Sequence, residues 1–486
     1  MKKQHIILLL SVFICGACTM IIELTGSRIL APFFGTSMYI WASLIGIILG
    51  SMALGYYIGG KIADESPSIE RYSNIISLGA LCIAIMGIIK TPLLAVINML
   101  NMPLIAAGLL SATILFAVPA LILAMVSPYA VKLTLTSLDT TGSTMGSLYS
   151  MSTFGSIVGT FLAGFVLIPL LGNTIIVGVV SLLLVIIAIL LTPKYNLWKK
   201  ITLSALIILF FFILKPIGLS SVNANIVYEG ETEYTSVAIA DSEDVRYFKM
   251  GVAYESGMYL NGSDELVFDY AKYYDLAEHF NPSMKDAMIL GGAGYSYPKY
   301  YLNKHPNNTM DVVEIDPKVT KIAQEYFNLD VNNPRLGIIH KDGRSFLNQN
   351  TKKYDAIFGD AFKSSTPPYE LVTVESHRKI LESLDDNGVY IMNLISAAQG
   401  KDAKMLEAVY ATLREVFPQV FVYLTHPDTP EVKQNVMLVA LNSPYAPSLT
   451  STDANFNALL QTLYTGVIAE REPFTDDHSP TEFYSL

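Results

Sequence analysis

Hydrophobic residues dominate the first 220 positions in runs that are too long for the core of a small soluble domain. The runs lie near residues 5–22, 38–60, 74–98, 103–127, 145–170, 173–192 and 201–219. Each is long enough to cross a hydrocarbon core of about 30 Å. The first run follows Lys2 and Lys3 and ends without a small-residue cleavage site, so we interpret it as a retained span. The pattern predicts an α-helical transmembrane bundle of about seven helices at residues 1–220.

Small residues recur four positions apart within two of these runs. The pairs are Gly46/Gly50 and Gly55/Gly59 in the second run and Gly155/Gly159, followed by Gly164, in the fifth. Because glycine lets helix backbones approach closely in lipid, this spacing favours helix packing within a bundle. It does not identify a transporter.

From residue 221 the hydrophobic pattern changes to the short alternation that is typical of strands. Segments 234–240 and 245–250 alternate apolar and polar residues, and polar turns are expected at 241–244 and 255–257. We therefore predict a small antiparallel β lobe at residues 221–262. The next segment, 265–280, has apolar residues at helical spacing and stops before Pro282, which predicts a helix.

Apolar runs of strand length then alternate with helix-length segments through residues 263–486. The expected strands lie at 287–290, 310–315, 336–340, 354–358 and 388–395, with a terminal pair at 420–425 and 435–441. Such alternation with short loops predicts a mostly parallel sheet with helices on both faces. The predicted fold class is thus an N-terminal transmembrane bundle plus a C-terminal α/β, Rossmann-type domain with a small β lobe.

Small and acidic residues follow four of these strands, where ligands bind in open α/β sheets. They are Gly291, Gly292 and Gly294 after the first strand, Glu314 after the second, Asp342 and Gly343 after the third, and Asp360 after the fourth.

Each of these positions has a structural and a functional interpretation. The glycines allow either an ordinary tight turn or close approach to a ligand. Glu314 can accept hydrogen bonds from two ribose hydroxyls, whereas Asp316 before Pro317 is expected only to cap a helix. Asp342 can bind an adenine amino group or serve as a turn aspartate. Together the four strand ends favour an adenosine-type ligand, with Asp360 beside the reacting group.

Composition supports a division into a membrane half and an acidic soluble half. Hydrophobic residues make up 52% of the chain, charged residues only 15%, and the mean hydropathy is +0.42, which is too apolar for a soluble protein of 486 residues. The net charge is +6 up to Ser220 and −16 after it. The acidity argues against nucleic acid as a partner and favours either a cationic substrate or simply a solubilising surface. Cys15, Cys18 and Cys82 all lie in apolar segments, so we expect no disulfide framework and no metal.

The distribution of lysine and arginine places the amino terminus in the cytoplasm, with the lipid bilayer of a prokaryotic plasma membrane as the expected location. Seven spans would put the soluble half outside the cell. A ligand that is a cytoplasmic metabolite would instead require the soluble half to lie in the cytoplasm. Because these two arguments conflict, the sequence leaves the side of the soluble half open, with a preference for the cytoplasm.

At these motifs, residues 226–445 resemble the spermidine synthase family, the polyamine aminopropyltransferases. The matching pieces are the glycine loop after Leu290, residues 313–316, Asp342 with Gly343, and residues 354–360. With the multi-span half in front, and the tail at 474–482, the chain resembles the membrane-fused branch of that family. The resemblance implies a methyltransferase-like sheet, and it implies that S-adenosylmethionine or its decarboxylated form is the co-substrate.

The same resemblance assigns roles to three acids: Glu314 would hold the ribose, Asp342 the adenine and Asp360 the attacking amine. A carboxylate is chemically required there because amines are mostly protonated at pH 7. The aromatics Tyr295, Tyr297 and Tyr369 would either line a cation's path or simply pack in the core.

The chain departs from the family at two positions. The family's loop aspartate, which pairs with the donor's amine, falls at Gly294, and a second loop acid is replaced by Lys363. These changes put putrescine as acceptor in doubt. Three functions stay open: an aminopropyltransferase-like enzyme acting on a small amine, a methyltransferase or other sulfonium-consuming enzyme, and a nucleoside-binding transporter or sensor. A homodimer is also left open.

Overall fold

The structure is a computed structural model that describes residues 2–35, 37–100, 102–135, 141–192, 197–198, 200–202, 225–251, 253–362 and 366–485. The chain divides into two compact units, Met1–Val222 and Asn223–Leu486.

The first unit is entirely helical over its described residues. Its helices are α1 Lys2–Phe34, α2 Met38–Glu65, α3 Ile69–Met99, α4 Leu104–Ala112, α5 Val118–Ala124, α6 Val126–Thr134, α7 Thr141–Leu162, α8 Ile168–Leu170 and α9 Asn173–Leu191. One-turn π segments at Thr113–Ala117 and Ala163–Leu167 join α4 to α5 and α7 to α8.

Six helices among the described residues are long and apolar enough to cross a membrane: α1, α2, α3, the run α4–α6, α7 with its π turn, and α9. The first continues well past the predicted end at residue 22, to Phe34. Of the seventh predicted run, residues 203–219 lie outside the described part of the chain.

Glycine packing in this unit is confirmed for four of the seven predicted positions, Gly55, Gly59, Gly155 and Gly159. A Cβ placed on Gly155 would lie 2.0 Å from the carbonyl oxygen of Phe13 on α1, and Gly159 and Gly55 meet neighbouring backbones in the same way. By contrast, no described atom lies within 4 Å of a Cβ at Gly46, Gly50 or Gly164. For these three the packing prediction is wrong, because they occupy helix faces that no described helix covers.

The second unit begins with a four-stranded antiparallel sheet, the β lobe. Its strands are β1 Asn225–Glu231, β2 Ser236–Ser242, β3 Val245–Met250 and β4 Ala253–Tyr259, paired in chain order. The predicted turn at residues 255–257 is wrong, since these residues lie inside β4. The predicted helix at 265–280 is shorter, because it begins as a 3-10 helix at Asp269–Asp275 and continues as α10 over Leu276–Phe280.

A seven-stranded sheet follows, and all seven strands fall where the sequence predicts them, within a few residues. They are β5 Asp286–Leu290, β6 Thr309–Glu314, β7 Leu336–His340, β8 Tyr354–Gly359, β9 Leu384–Ser396, β10 Gln419–Leu424 and β11 Gln434–Leu441. Their order is β10-β11-β9-β8-β5-β6-β7. The pairs from β9 to β7 are parallel and the two pairs that involve β11 are antiparallel, so the sheet is mixed.

Both faces of this sheet are covered, because alternate residues of its central strands enter different cores. On β5, Ile289 joins one buried cluster, whereas Met288 and Leu290 join the other. The covering helices and the terminal helices are α11 Ser296–Lys304, α12 Pro317–Tyr326, α13 Gly343–Leu347, α14 Val374–Ser383, α15 Lys404–Arg414, α16 Ala454–Leu460 and α17 Thr481–Ser485. The arrangement is the Rossmann-type, methyltransferase-like α/β fold.

Candidate active site

A cavity opens at the carboxyl ends of β5 and β8, where the chain connections diverge to opposite sides of the sheet. β6 and β8 flank β5 on its two sides, so the loops after β5 and β8 separate at this point. Open α/β sheets bind their ligands in such a crevice. The cavity encloses about 500 Å³, part of it open to solvent. Its lining includes Glu255, Tyr270, Gly291, Gly292, Tyr297 and Asp360.

Gly291 places the glycine loop directly against the loop that carries Asp360. Its φ is +101°, a conformation that side chains rarely adopt, and a Cβ there would lie 2.4 Å from the carbonyl oxygen of Asp360. The two loops are also tied to the sheet, since the Gly291 amide donates to Val313 and the Asp360 amide donates to Leu290, both at 2.9 Å. The glycine is therefore required by both conformation and space.

Glu314, at the end of β6, fixes the shape of the glycine loop. Its Oε2 accepts hydrogen bonds from the amides of Gly292 at 2.9 Å and Ala293 at 3.2 Å, and its Oε1 accepts one from Asp316 at 2.9 Å. Burial raises the pKa of Glu314, and these three backbone bonds oppose that rise. Oε1 accepts only one of these bonds and can accept a second, so the side chain retains capacity for one ligand hydroxyl.

The two aspartates that follow β6 and β7 both cap helices. Asp316 accepts from the Lys318 amide at 2.9 Å, as predicted for a residue before Pro317. Asp342 accepts from the Ser345 amide at 2.8 Å as the N-cap of α13. Asp342 therefore has a structural role, as a helix cap rather than as a turn aspartate. The cap uses one of its carboxylate oxygens, so the other can bind a ligand.

Not all the predicted site residues line the cavity. Gly291, Gly292 and Asp360 do, whereas Glu314, Asp342 and Gly343 lie outside it. Glu314 contacts the cavity wall through Gly292 and Ala293. Asp342 and Gly343 follow β7, the edge strand two positions from β5. Asp342 and Gly343 thus lie along the edge of the sheet from the cavity rather than within it.

Asp360 is held by side chains from two other elements. Its Oδ2 accepts from the Tyr270 hydroxyl at 3.2 Å, and its Oδ1 accepts from the Asn393 amide at 3.1 Å. Asn393 is in turn oriented by the Asn435 amide at 2.9 Å. Burial raises the pKa of Asp360, while the hydrogen bonds from Asn393 and Tyr270 counteract that rise. A partly desolvated carboxylate of fixed orientation is suited to binding a cation and taking up a proton.

Two of these supporting residues were not predicted as part of the site. Asn393 is a buried amide within an otherwise apolar strand, which is the signal that could have identified it. Tyr270 was counted only among the apolar residues of a helix.

Glu255 on β4 is a third residue that sequence reasoning missed, and it brings a second carboxyl group to the cavity. Burial, followed by the charges of Asp360 and Glu314, raises the pKa of Glu255 to about 8. No lysine, arginine or histidine is among the described residues that line the cavity. The arrangement favours a cationic ligand.

Gly294 is turned away from the cavity and has no room for a side chain. Its amide donates to Ser256 Oγ at 3.0 Å, and a Cβ would lie 2.7 Å from Ser256 Cβ and 2.8 Å from the Phe327 ring. The β lobe therefore packs directly on the glycine loop at this point. This packing is the physical reason why the loop carries glycine there.

The three tyrosines that were considered for a cation path have different positions. Tyr295 is fully buried and its hydroxyl lies 2.7 Å from Thr320 Oγ1, so it is a core residue. Tyr297 lines the cavity, and Tyr369 is 47% exposed outside it. Lys363, the other proposed departure from the family, lies outside the described residues.

Comparison with known proteins finds similarity to one family within the second unit. The family described as the spermine/spermidine synthase domain matches residues 273–452. A probable polyamine aminopropyl transferase of Bifidobacterium longum is 30% identical over 206 residues, which are 41% of this chain and 44% of that protein. The polyamine aminopropyltransferase of Vibrio vulnificus is 27% identical over 217 residues, or 43% and 70% of the two chains. The match to the Bifidobacterium protein thus spans less than half of its length.

Solved structures with spermidine synthase names are also similar to this chain. The probable spermidine synthase from Corynebacterium glutamicum shares 22% identity at a TM-score of 0.43 and covers 51% of this chain and 91% of its own. The spermidine synthase from Thermotoga maritima shares 20% identity at a TM-score of 0.37, over 45% and 72% of the two chains.

Proposed function

We propose that this chain, which carries a spermine/spermidine synthase domain at residues 273–452, is a membrane-bound transferase of the aminopropyltransferase type. The observation that carries the proposal is the cavity where the glycine loop meets Asp360. It lies at the divergence of a methyltransferase-like sheet, is lined by carboxylates, and has the buried acid Glu314 directly behind its glycine loop. Its chemistry suits a sulfonium nucleoside as donor and a small amine as acceptor.

In the proposed reaction, the lone pair of a neutral amine attacks the donor carbon that is bonded to the sulfonium sulfur. A nitrogen–carbon bond forms as the carbon–sulfur bond breaks, and the bonding electron pair goes to sulfur, which leaves as a neutral thioether. The amine nitrogen becomes positively charged and gives up one proton. Asp360 is the residue positioned to bind the protonated amine and to accept that proton, because Tyr270 and Asn393 orient its two oxygens.

Binding of the nucleoside is assigned to residues along the same edge of the sheet. The amides of Gly291, Gly292 and Gly294 are hydrogen-bonded within the protein and fix the backbone of the glycine loop. Glu314 behind that loop is the proposed acceptor for a ribose hydroxyl. Asp342 and Gly343, after β7, are the proposed adenine contacts. S-adenosylmethionine and its decarboxylated form both satisfy this assignment.

Exchange of Asp360 for Asn tests the catalytic assignment. An asparagine retains the shape of the site, since its oxygen can accept from Asn393 and its amide can donate to the Tyr270 hydroxyl oxygen. We expect thioether nucleoside release from the full-length, detergent-solubilised chain to fall by roughly 10²- to 10⁴-fold. Calorimetric binding of methylthioadenosine should persist. The matched control, Asp386→Asn, changes an exposed aspartate of β9 and should leave both unchanged.

Each other outcome of this experiment selects a different function. Loss of methylthioadenosine binding in Asp360→Asn would show that Asp360 holds the nucleoside instead. Binding of nucleosides by the unsubstituted chain without any product from a panel of amines would indicate a transporter or sensor. If no sulfonium or thioether nucleoside binds, the site assignment itself is wrong.

The first unit is proposed to hold this domain at a lipid bilayer. Its six long apolar helices support that proposal, and Lys2 and Lys3 at the amino terminus favour a cytoplasmic start. Six spans would return the chain to the same side and give the soluble unit access to a cytoplasmic metabolite, whereas a seventh span at residues 201–219 would place that unit outside. A reporter that is active only in the cytoplasm, fused after Leu486, should therefore be active; an inactive reporter would place the soluble unit outside.

A further inference from the structure

We infer that Glu255 is a specificity-determining residue that binds the primary ammonium group on the alkyl arm of the sulfonium donor, and so selects a donor without a carboxylate. This inference rests on the proposed function, because it requires a sulfonium nucleoside in the cavity. It adds to that function a residue of the β lobe, outside the strand-end motifs.

A β-bulge aims Glu255 into the cavity. In the β3–β4 pair, Phe248 faces Ser256 and Lys249 faces Tyr254, so Glu255 is the extra residue that has no partner on β3. A bulge breaks the alternation of side chains and re-aims the extra residue, and such bulges are common beside active sites. Here Tyr254 is exposed, Ser256 is buried against the glycine loop, and Glu255 lines the cavity between them.

Two hydrogen bonds hold this part of β4 in place. The Gly294 amide donates to Ser256 Oγ at 3.0 Å, and the Ser296 hydroxyl donates to the Gly257 carbonyl at 2.8 Å. The residues directly after Glu255 are thereby attached to the glycine loop and to the start of α11. A carboxyl group on such an anchored strand can bind a ligand charge without paying the full entropy of ordering a loop.

The charges around Glu255 indicate which part of the ligand it would meet. Its carboxyl is near enough to interact electrostatically with Asp360, the acid assigned to the reacting amine, and with Glu314, the acid assigned to the ribose. It lines the same cavity as Asp360 and the glycine loop. A donor arm that runs from the ribose to the reacting carbon passes through this region. Carboxyl groups and no basic side chains are present among the described lining residues. Such a lining favours an ammonium group, whose binding would ionise Glu255, and disfavours a carboxylate.

The experiment compares two ligands that differ by the charged arm. Decarboxylated S-adenosylmethionine carries the alkylammonium group, whereas methylthioadenosine lacks it. In titration calorimetry on the full-length chain, Glu255→Gln should weaken the first ligand by roughly ten- to a hundred-fold, as expected for loss of a charge-assisted hydrogen bond. Its affinity for methylthioadenosine should stay within about twofold, and Glu255→Asp should partly restore the lost affinity.

Intact S-adenosylmethionine supplies a second measurement. The unsubstituted chain should bind it more weakly than the decarboxylated form, and Glu255→Gln should reduce that preference because the amide does not repel the additional carboxylate. Glu229→Gln, at an exposed acid of β1, is the matched control and should change none of these affinities.

The outcomes separate this inference from the proposed function. If methylthioadenosine fails to bind the unsubstituted chain, the proposed function is wrong. If it binds, but the decarboxylated donor binds no more tightly, the function stands and the role of Glu255 is wrong. An equal loss of both ligands in Glu255→Gln would also contradict the inference, since it would show that Glu255 only maintains the shape of the site.

Discussion

Exchange of Gly291 for alanine should disrupt the site through two separable effects. The first is conformational, because a φ of +101° costs a non-glycine residue about 1–3 kcal/mol. The second is steric, because the added methyl would lie 2.4 Å from the carbonyl oxygen of Asp360. Forcing an extra carbon into a packed position costs about 1–3 kcal/mol more. We therefore expect local destabilisation of about 2–6 kcal/mol and a displaced Asp360.

Gly400→Ala isolates the conformational effect. Gly400 has a comparable φ of +81°, but no described atom lies within 4 Å of a Cβ at that position. Its substitution should therefore cost only about 1–3 kcal/mol. Hydrogen exchange of the full-length chain, followed by mass spectrometry, measures the destabilisation in each variant. The measured quantity is the opening free energy of the peptides around the substituted glycine. Equal losses for the two variants would refute the close approach of the two loops.

Two further predictions concern proton linkage and helix packing. Because the pKa of Glu255 is raised to about 8, its carboxyl is mostly protonated at pH 7, and binding of an alkylammonium ligand should release about 0.9 proton there but only about 0.1 at pH 9. Calorimetry in buffers of different ionisation enthalpy measures this release, and a pH-independent value would contradict the shift. The titratable groups that interact electrostatically with Glu255, and so affect its titration, are Asp360, Glu314 and Tyr270. In the first unit, Gly155→Ala should lower the melting temperature in detergent, because its methyl would meet Phe13 on α1. Tryptophan fluorescence follows this melting, since both tryptophans, Trp41 and Trp198, lie in the first unit. Gly46→Ala should be neutral or stabilising, and equal effects of the two would contradict the packing of α1 on α7.

The main sheet was predictable because its strands are apolar along most of their length. Buried parallel strands are covered on both faces, so they appear in a sequence as short continuous apolar runs rather than as alternation. For the same reason the acids and glycines at their ends were predictable, since the ends of such strands meet at one edge. Glu314 and Asp360 illustrate this. Neither strand end is unusual alone, but β6 and β8 are the two neighbours of β5, so both acids lie at the same edge of the sheet beside the glycine loop.

The β4 strand was misread because its local sequence resembles a turn. Glu255, Ser256 and Gly257 have turn-forming composition, yet Ser256 and Gly257 are small because β4 packs tightly against the glycine loop and against Val267. That requirement comes from tertiary contacts, which local composition does not report. The error had a consequence, because Glu255 was thereby excluded from the site.

The shortened helix at residues 265–280 has a similar cause. Leu266, Val267 and Phe268 are apolar at helical spacing with the following residues, but they line the cavity in an extended segment ahead of Asp269. Periodicity alone does not distinguish a helix face from a cavity wall. The same limit applies to Tyr270, whose apolar ring fits the helical pattern while its hydroxyl binds Asp360.

The most direct test of the account is to follow which carbon of the donor is transferred. The full-length chain would be incubated with small diamines and decarboxylated S-adenosylmethionine that carries one isotope in the S-methyl group and another in the three-carbon arm. Transfer of the aminopropyl group predicts that the arm label appears in the amine product and that the methyl label stays in a thioether nucleoside. Appearance of the methyl label in the product would establish a methyltransferase instead. If neither label moved while the donor bound, the proposal of catalysis would be wrong.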